Sequence, residues 1–335
     1  MERSGVTLTD AIVSIAVLGV LVALLLPALQ SSREAARASD CRLRMRQCAL
    51  AVHNFHETHR VLPGPLTLRA NRPAFPKMLS AWGHLLPHLD QTNLFAMIDG
   101  DPTEVGARAY PGPPMFQRPS NNALLQTALP VVMCPSDTTP TGGCNFRICW
   151  GSAPSVEFRN PEIDKALAGV WYQEAARGPV RLDMVTDGLS QTVLLSERIA
   201  GDQDPKTYSP SRDTYAFQET DAQPAPETPA EYAMACATRF TQPLTGEMSY
   251  GGATWLISGK AYTVYNHVLG PNSRTPDCSS SGPTLYRSAT TARSWHPGGV
   301  NCAFADGSVR LQSESIDIYL WRELASRSGG EVAVP

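Results

Sequence analysis

A chain of 335 residues, 42% hydrophobic and 18% charged, is long enough to bury one large core or two ordinary ones, and is too apolar to be mainly disordered. Lys plus Arg number 28 against 31 Asp plus Glu, a net charge of -3. That leaves no basic excess to neutralise a phosphate backbone, so nucleic acid is not an expected partner. Eight cysteines, at 41, 48, 134, 144, 149, 236, 278 and 302, contain neither Cys-x-x-Cys nor a zinc-finger spacing. Disulfides of an oxidising compartment are the favoured reading, with buried thiols the alternative.

The first predicted element is a long helix over residues 6–60. Ala11 to Leu26 carries no charge, and the apolar run extends from Leu8 to Leu29 with Asp10 as its one charged interruption. At about 1.5 Å rise per residue, some twenty residues cross a hydrocarbon core of about 30 Å. The residues after Pro27 remain rich in Ala, Arg, Glu, Leu, Met and Gln, which favours one continued helix, kinked at Pro27, over a cleaved signal peptide. Cys41, Met45, Cys48, Val52 and Phe55 recur at steps of four and three and predict one apolar stripe on its second half. Cys41 and Cys48 stand about 10 Å apart along such a helix and cannot pair with each other. Each meets a later cysteine or is a core thiol.

Gly5-Val6-Thr7-Leu8-Thr9-Asp10 before the apolar run resembles the prepilin cleavage and methylation motif. The resemblance implies cleavage after Gly5 by a prepilin peptidase on the cytoplasmic side and methylation of Val6. It also implies pairing of Asp10 with a neighbouring subunit's terminal amine, a partner that a carboxylate in the bilayer needs. The chain departs from that pattern at Val6, where phenylalanine is usual, and at Asp10, where glutamate is usual. Arg33, Arg37, Arg42, Arg44 and Arg46 follow the apolar run and only Arg3 precedes it. Counted over short loops, that asymmetry would hold the large domain in the cytoplasm, but the rule weakens for long translocated domains. The prepilin resemblance and the cysteines place it outside, on a single-pass anchor in the cytoplasmic membrane.

Pro63-Gly64-Pro65 ends the helix. Short apolar runs then alternate with turn residues: 129–133, 169–172, 192–196, 254–257 and 300–312, an antiparallel, loop-rich pattern over 61–335. Stretches 201–231 and 269–292 read as long surface insertions. Asp306-Gly307 between alternating segments predicts a two-residue hairpin turn, with Phe304 opposite Val309 and Cys302 opposite Leu311.

A wider resemblance rests on an ordered set of motifs. These are Ala51-Val52-His53-Asn54-Phe55-His56, Leu86 to Gln91, Cys134-Pro135-Ser136-Asp137, Asp187-Gly188 through Glu197, Asn266 to Asn272, and His296-Pro297-Gly298-Gly299-Val300-Asn301 followed by Asp306-Gly307. The last is similar to a carboxy-terminal His-x9-Asp-Gly motif, and the set resembles the bacterial family called domain of unknown function 1559. The resemblance implies an α+β, pilin-like or pseudopilin-like fold, a long helix whose first half is transmembrane packed on an antiparallel sheet, with no established activity.

The motif residues invite chemistry, and structural roles are preferred. His296 and Asp306 are separated by a strand, so turn and strand-entry roles are expected for them and for Gly298, Gly299, Asn301 and Gly307. His53, His56 and His59, and His84 and His88, have helix-face spacing for a metal, but histidines at a helix terminus more often complement its dipole. Asp137, Asp187 and Asp306 sit in turn chemistry without EF-hand spacing, so no cofactor is expected, with loop-bound calcium the alternative weighed, and Cys134 and Gly188 are read as structural motif residues. No hydrolase elbow, phosphate loop or His-Glu-x-x-His occurs, and no enzyme activity is expected. The chain is expected to be a structural or assembly subunit of a type IV pilus or type II secretion-like system. Its expected partners are the inner membrane, a prepilin peptidase and other pilin-like subunits through helix packing. A tethered binding module for a glycan or surface component is the alternative.

Overall fold

A computed structural model of the chain describes residues 8–63, 79–98, 123–138, 143–154, 169, 180–204, 206–218, 226, 228–240, 249–281 and 287–330. Gly5, Val6, most of the 169–172 run and parts of both expected insertions lie outside the described residues.

Helix α1, Leu8–His59, runs without interruption and holds Pro27 inside it. Its two halves meet different surroundings. Leu18, Leu24 and Leu29 are 60%, 68% and 54% exposed, and no residue of the apolar window near its start is buried among the described residues. From Cys41 onward the expected stripe is buried: Cys41, Met45, Cys48 and Val52 are fully covered and Phe55 nearly so. The helix closes where Arg60 enters the left-handed region at φ 59° and its N–H bonds back to the His56 carbonyl at 2.7 Å.

Two sheets follow. The larger has the order β4-β1-β2-β7-β8, built from β1 Phe146–Cys149, β2 Val193–Glu197, β4 Val264–Tyr265, β7 Gly299–Phe304 and β8 Val309–Ser313. The smaller, β3-β5-β6, uses Thr214–Gln218, Asp277–Ser281 and Ser288–Ala289. Most pairs are antiparallel, but β1 with β4 and β3 with β5 are parallel. Strand β7 is buried along its whole length because both its faces are used. Ala303 joins the core around the α1 stripe, while Val300, Cys302 and Phe304 pack with Trp321 and Leu324 at helix α5, Ile318–Glu323. Among the described residues, short α-helices also form at α2 Ala81–Leu85, α3 Thr92–Ala96 and α4 Pro229–Thr238.

Several sequence expectations change. The 129–133 run is a single tight helical turn at Pro130–Val132, not a strand. Pro130 has no N–H to give a ladder, and the carbonyls of Pro130 and Met133 instead accept from the Arg44 guanidinium at 2.7 and 3.1 Å. The 254–257 run forms only an isolated bridge, Ile257 with Leu79. The stretches read as surface insertions supply β3, the first turn of α4 and the β5 and β6 strands, and their Tyr215, Phe217 and Cys278 share a separate core with Tyr232 and Cys236 of α4. The two sheets are joined by a buried ion cluster. Arg198 and Arg293 approach the two oxygens of Asp277 at 2.7 and 3.0 Å, all three side chains being nearly solvent-free. Such a cluster holds only because each charge is paired and hydrogen-bonded.

The β7–β8 hairpin is present, but its register is one residue away from expectation: Ala303 faces Val309, Cys302 faces Arg310 and Asn301 faces Leu311. The turn has three residues, Ala305-Asp306-Gly307, inside a Phe304–Ser308 pair, with Gly307 in the left-handed region at φ 84°. The two-residue type I′ turn that Asp-Gly favours needs positive φ at both central positions, and of this pair only the glycine adopts it. The shift places Val309 beside Ala303 toward α1 and lays the Arg310 guanidinium over the Phe304 ring. Gly307→Ala is therefore expected to lower stability by about 1–2 kcal/mol, the cost of a left-handed L-residue. Asp306→Ala removes only the bond from the Ser308 N–H and should cost about 1 kcal/mol or less. Urea denaturation of both variants checks the order; a larger loss at Asp306 would refute this turn.

Candidate functional site

Motifs far apart in the sequence meet where α1 enters the domain. Glu34 and Cys41 come from one face of α1, Cys134 and Ser136 from the turn after residues 130–132, Glu197 from the end of β2, and His296 from the loop before β7. Cys41 is disulfide-bonded to Cys134, 93 residues away. On a chain-entropy basis a link of that span stabilises by about 4–5 kcal/mol. Cys236 pairs with Cys278 in the second core, while Cys48, Cys144, Cys149 and Cys302 are buried thiols. Both readings of the cysteines thus apply, to different residues.

His296 is the centre of the cluster. Its Nδ1 lies 2.8 Å from Glu34 Oε1, and its Nε2 lies 3.2 Å from Glu197 Oε1 and 3.4 Å from Cys134 Sγ. Both carboxylates are themselves held. Ser136 Oγ donates to Glu34 at 2.8 Å, and the Asn301 N–H and side-chain amide donate to the two oxygens of Glu197, each at 3.0 Å. Burial opposes a charge on the imidazole, but the hydrogen bonds and charges of Glu197 and then Glu34 outweigh it and raise its pKa above the ordinary histidine value. At Glu34 partial burial pushes upward, and the bonds from Ser136 and His296 outweigh it and lower the pKa. Both directions share one cause, an imidazole set between two carboxylates, one on the helix and one on the sheet.

Beside it, Asp137 is nearly buried and fully engaged. It accepts from the Asn145 amide at 2.6 Å and the Ala200 N–H at 2.8 Å, and pairs with Arg212 at 3.2 Å. Asn145 also takes the Cys134 N–H at 3.0 Å, which fixes the turn carrying the disulfide. Trp295, 46% exposed, lies over the Arg212 guanidinium at 5.4 Å and borders a shallow cleft with Asp137 and Arg293. On β1, buried Arg147 has no hydrogen-bond partner for its guanidinium nitrogens among the described residues. Burial first, then Arg198, draw its pKa well down.

The other motif residues lie elsewhere. Asp187 accepts from Ser326 Oγ and the N–H groups of Gly329 and Gly330 at 2.7–3.0 Å, tying down the carboxy-terminal segment, and Gly188 has φ 99° in the adjoining turn. Asp306 accepts from Ser308 N–H at the far end of β7 from His296. Gly298 takes φ 87° in the loop after His296, and a β-carbon on Gly299 would overlap the Gln312 carbonyl. Of the helix-end histidines, His59 stacks on Phe55 at 4.1 Å with His88 edge-on to both rings, and His56 accepts from the Leu182 N–H. His267 is stacked on Trp321 at 3.6 Å, and burial drops its pKa to about 3. Glu34, Asn145, Arg198, Arg212 and Asp277 carry much of the polar structure and were not among the expected site residues.

A raised folded pKa at His296 means that its contribution is full below the unfolded value of about 6.5 and fades as pH rises through the higher folded value. In the disulfide-bonded, metal-free chain, the thermal midpoint of the wild type should therefore fall between about pH 6 and pH 9 more steeply than that of His296→Gln. Parallel slopes in calorimetry would show that the imidazole is not charged between the two carboxylates.

A family model described as a protein of unknown function (DUF1559) matches residues 30–318, a span that includes every member of this cluster. No curated protein and no solved structure matches the chain. With the long helix, the mixed sheets and the converging motifs in place, the chain belongs to the DUF1559 family.

Proposed function

We propose that this protein is a membrane-anchored, pilin-like structural or assembly subunit whose domain lies outside the cytoplasm, within a type IV pilus or type II secretion-like system. One observation carries the reading: a single helix is exposed and apolar over its first half and forms the core of the domain over its second. That arrangement leaves the first half free to lie in lipid or against the same segment of another subunit, where small and aliphatic residues pack without a change of solvent. Two disulfides in the domain support an oxidising compartment. Leader cleavage after Gly5 would remove the cytoplasmic residues and leave Asp10 as the one acid on the apolar segment. An acid there requires a partner, such as a neighbouring subunit's amine.

A second reading, a tethered binding module, is favoured by Trp295 at the cleft, since a part-exposed indole suits the apolar face of a sugar ring. It predicts glycan retention that Trp295→Ala abolishes without unfolding the domain.

Mass spectrometry of the native amino terminus tests the first reading, with a chain beginning at methylated Val6 as the expected result. An intact Met1, or a terminus beyond Leu26, would overturn it. Asp10→Ala should abolish incorporation into a filament or complex, read by crosslinking, while the thermal midpoint of the domain stays within about 1 °C. Unchanged incorporation counts against assembly.

A further inference from the structure

We propose that Cys41, Cys134, Glu197 and His296 form a closed four-ligand site for one zinc-class divalent cation once the Cys41–Cys134 disulfide is reduced. The proposal stands apart from the assembly reading, since it concerns only the joint between helix and sheet. The one ligand atom that each residue offers lies within 4.8 Å of all the others, and all four residues are buried. Two thiolates, an imidazole and a carboxylate make a donor set that suits a borderline-soft ion with no redox chemistry of its own.

Two edges of a coordination tetrahedron are already in place. With metal–sulfur near 2.3 Å and metal–nitrogen or –oxygen near 2.0 Å, tetrahedral edges are about 3.5 Å for sulfur to nitrogen and about 3.3 Å for nitrogen to oxygen. The corresponding distances are 3.4 Å from His296 Nε2 to Cys134 Sγ and 3.2 Å from Nε2 to Glu197 Oε1. The edge between the two sulfurs is the one that must open, to about 3.8 Å, because it is now a covalent bond.

The surroundings are those of a metal-ligand shell. Glu34 holds His296 Nδ1 at 2.8 Å, which aims Nε2 at the two sulfurs and at Glu197. A carboxylate on the distal ring nitrogen is the usual orienting partner of a metal-bound histidine. Asn301 fixes Glu197 through two bonds, and Asn145 fixes the Cys134 backbone. In the oxidised chain a proton on Nε2 accounts for its closeness to Glu197. In the reduced chain a cation would take that proton's place.

The chemistry balances with a thiol or phosphine reductant supplied from outside. Two electrons from the reductant break the sulfur–sulfur bond and leave two thiols; a thiol reductant supplies the two protons and becomes its disulfide, whereas with a phosphine one water supplies both protons and the oxygen of the phosphine oxide. Binding of the cation then releases the two thiol protons and the Nε2 proton to solvent, while the Nδ1 proton stays with Glu34. Disulfide and metal are thus alternative cross-links between the same two points.

The test uses the full-length chain in detergent, reduced anaerobically with a water-soluble phosphine and titrated with cadmium as a spectroscopic zinc substitute. The expected result is a sulfur-to-cadmium charge-transfer band saturating at one ion per chain, displaced by zinc and absent from the oxidised chain. His296→Ala should weaken affinity about 10- to 100-fold, and Glu34→Gln, which touches no metal, about tenfold. No band in the reduced wild type, or equal affinity in His296→Ala, would overturn the proposal; the latter would mean that ordinary thiols elsewhere had captured the ion. If reduction loosens the domain, zinc should restore a cooperative melt in the wild type but not in Cys134→Ser. Failure to restore it in the wild type, or equal restoration in both, overturns the proposal as well.

Discussion

The structure depends on one constraint: a single helix has to satisfy two environments in succession. Over its first half the apolar side chains are turned outward on every side, which in water would be a large unfavourable surface and in lipid is none. Over its second half the apolar residues narrow to one stripe, and the sheet is laid against it. The domain does not merely hang from the helix, because Cys41, Met45, Cys48 and Val52 are as deeply buried as any strand residue. Removing the second half would take away the central element of the larger core.

The changeover between the two environments is where polar chemistry is concentrated. Glu34 stands one or two turns before the first fully buried helix residue, and it is there that His296, Ser136 and the disulfide converge. A boundary of this kind cannot be held by burial alone, since Glu34 and Ser136 are only half-buried there. Directional bonds and one covalent link hold it instead. The Arg198–Asp277–Arg293 cluster does the corresponding work between the two sheets. There the charges are fully buried, and their value lies in setting one arrangement of the sheets and penalising others.

The helix was legible in the sequence because apolar length and a stripe of period 3.6 are local properties. The hairpin was legible for the same reason, but its register was not: Asp306-Gly307 is compatible with loops of two or three residues, and a difference of one residue reverses which face each side chain uses. The second sheet was hidden by its composition. Tyr215 and Phe217 alternate as a strand should, yet they lie in a polar stretch, and the serines of β5 give no apolar signal at all. Glu34 was illegible because an acid in a run of Arg and Ala reads as a solvated helix face. The pairing of Cys41 with Cys134 was open because it is decided by which turn packs on α1, something no spacing encodes. The His296 motif and the Cys134 motif were both visible as sequence, and only the fold shows that they touch.

The disulfide at the head of the domain also sets how mechanical load would travel. A pull along α1 from the membrane side reaches its first covalent tie to the domain at residue 41, where the bridge passes it directly to residue 134. Everything between these positions, including the buried stripe from Met45 to Phe55, then lies in a closed loop that carries no tension through the backbone. The helix can be drawn taut without its core half being unzipped from the sheet. The joint behaves as a strain relief, like the clamp at the entry of a cable, and the packing behind it is spared the shear.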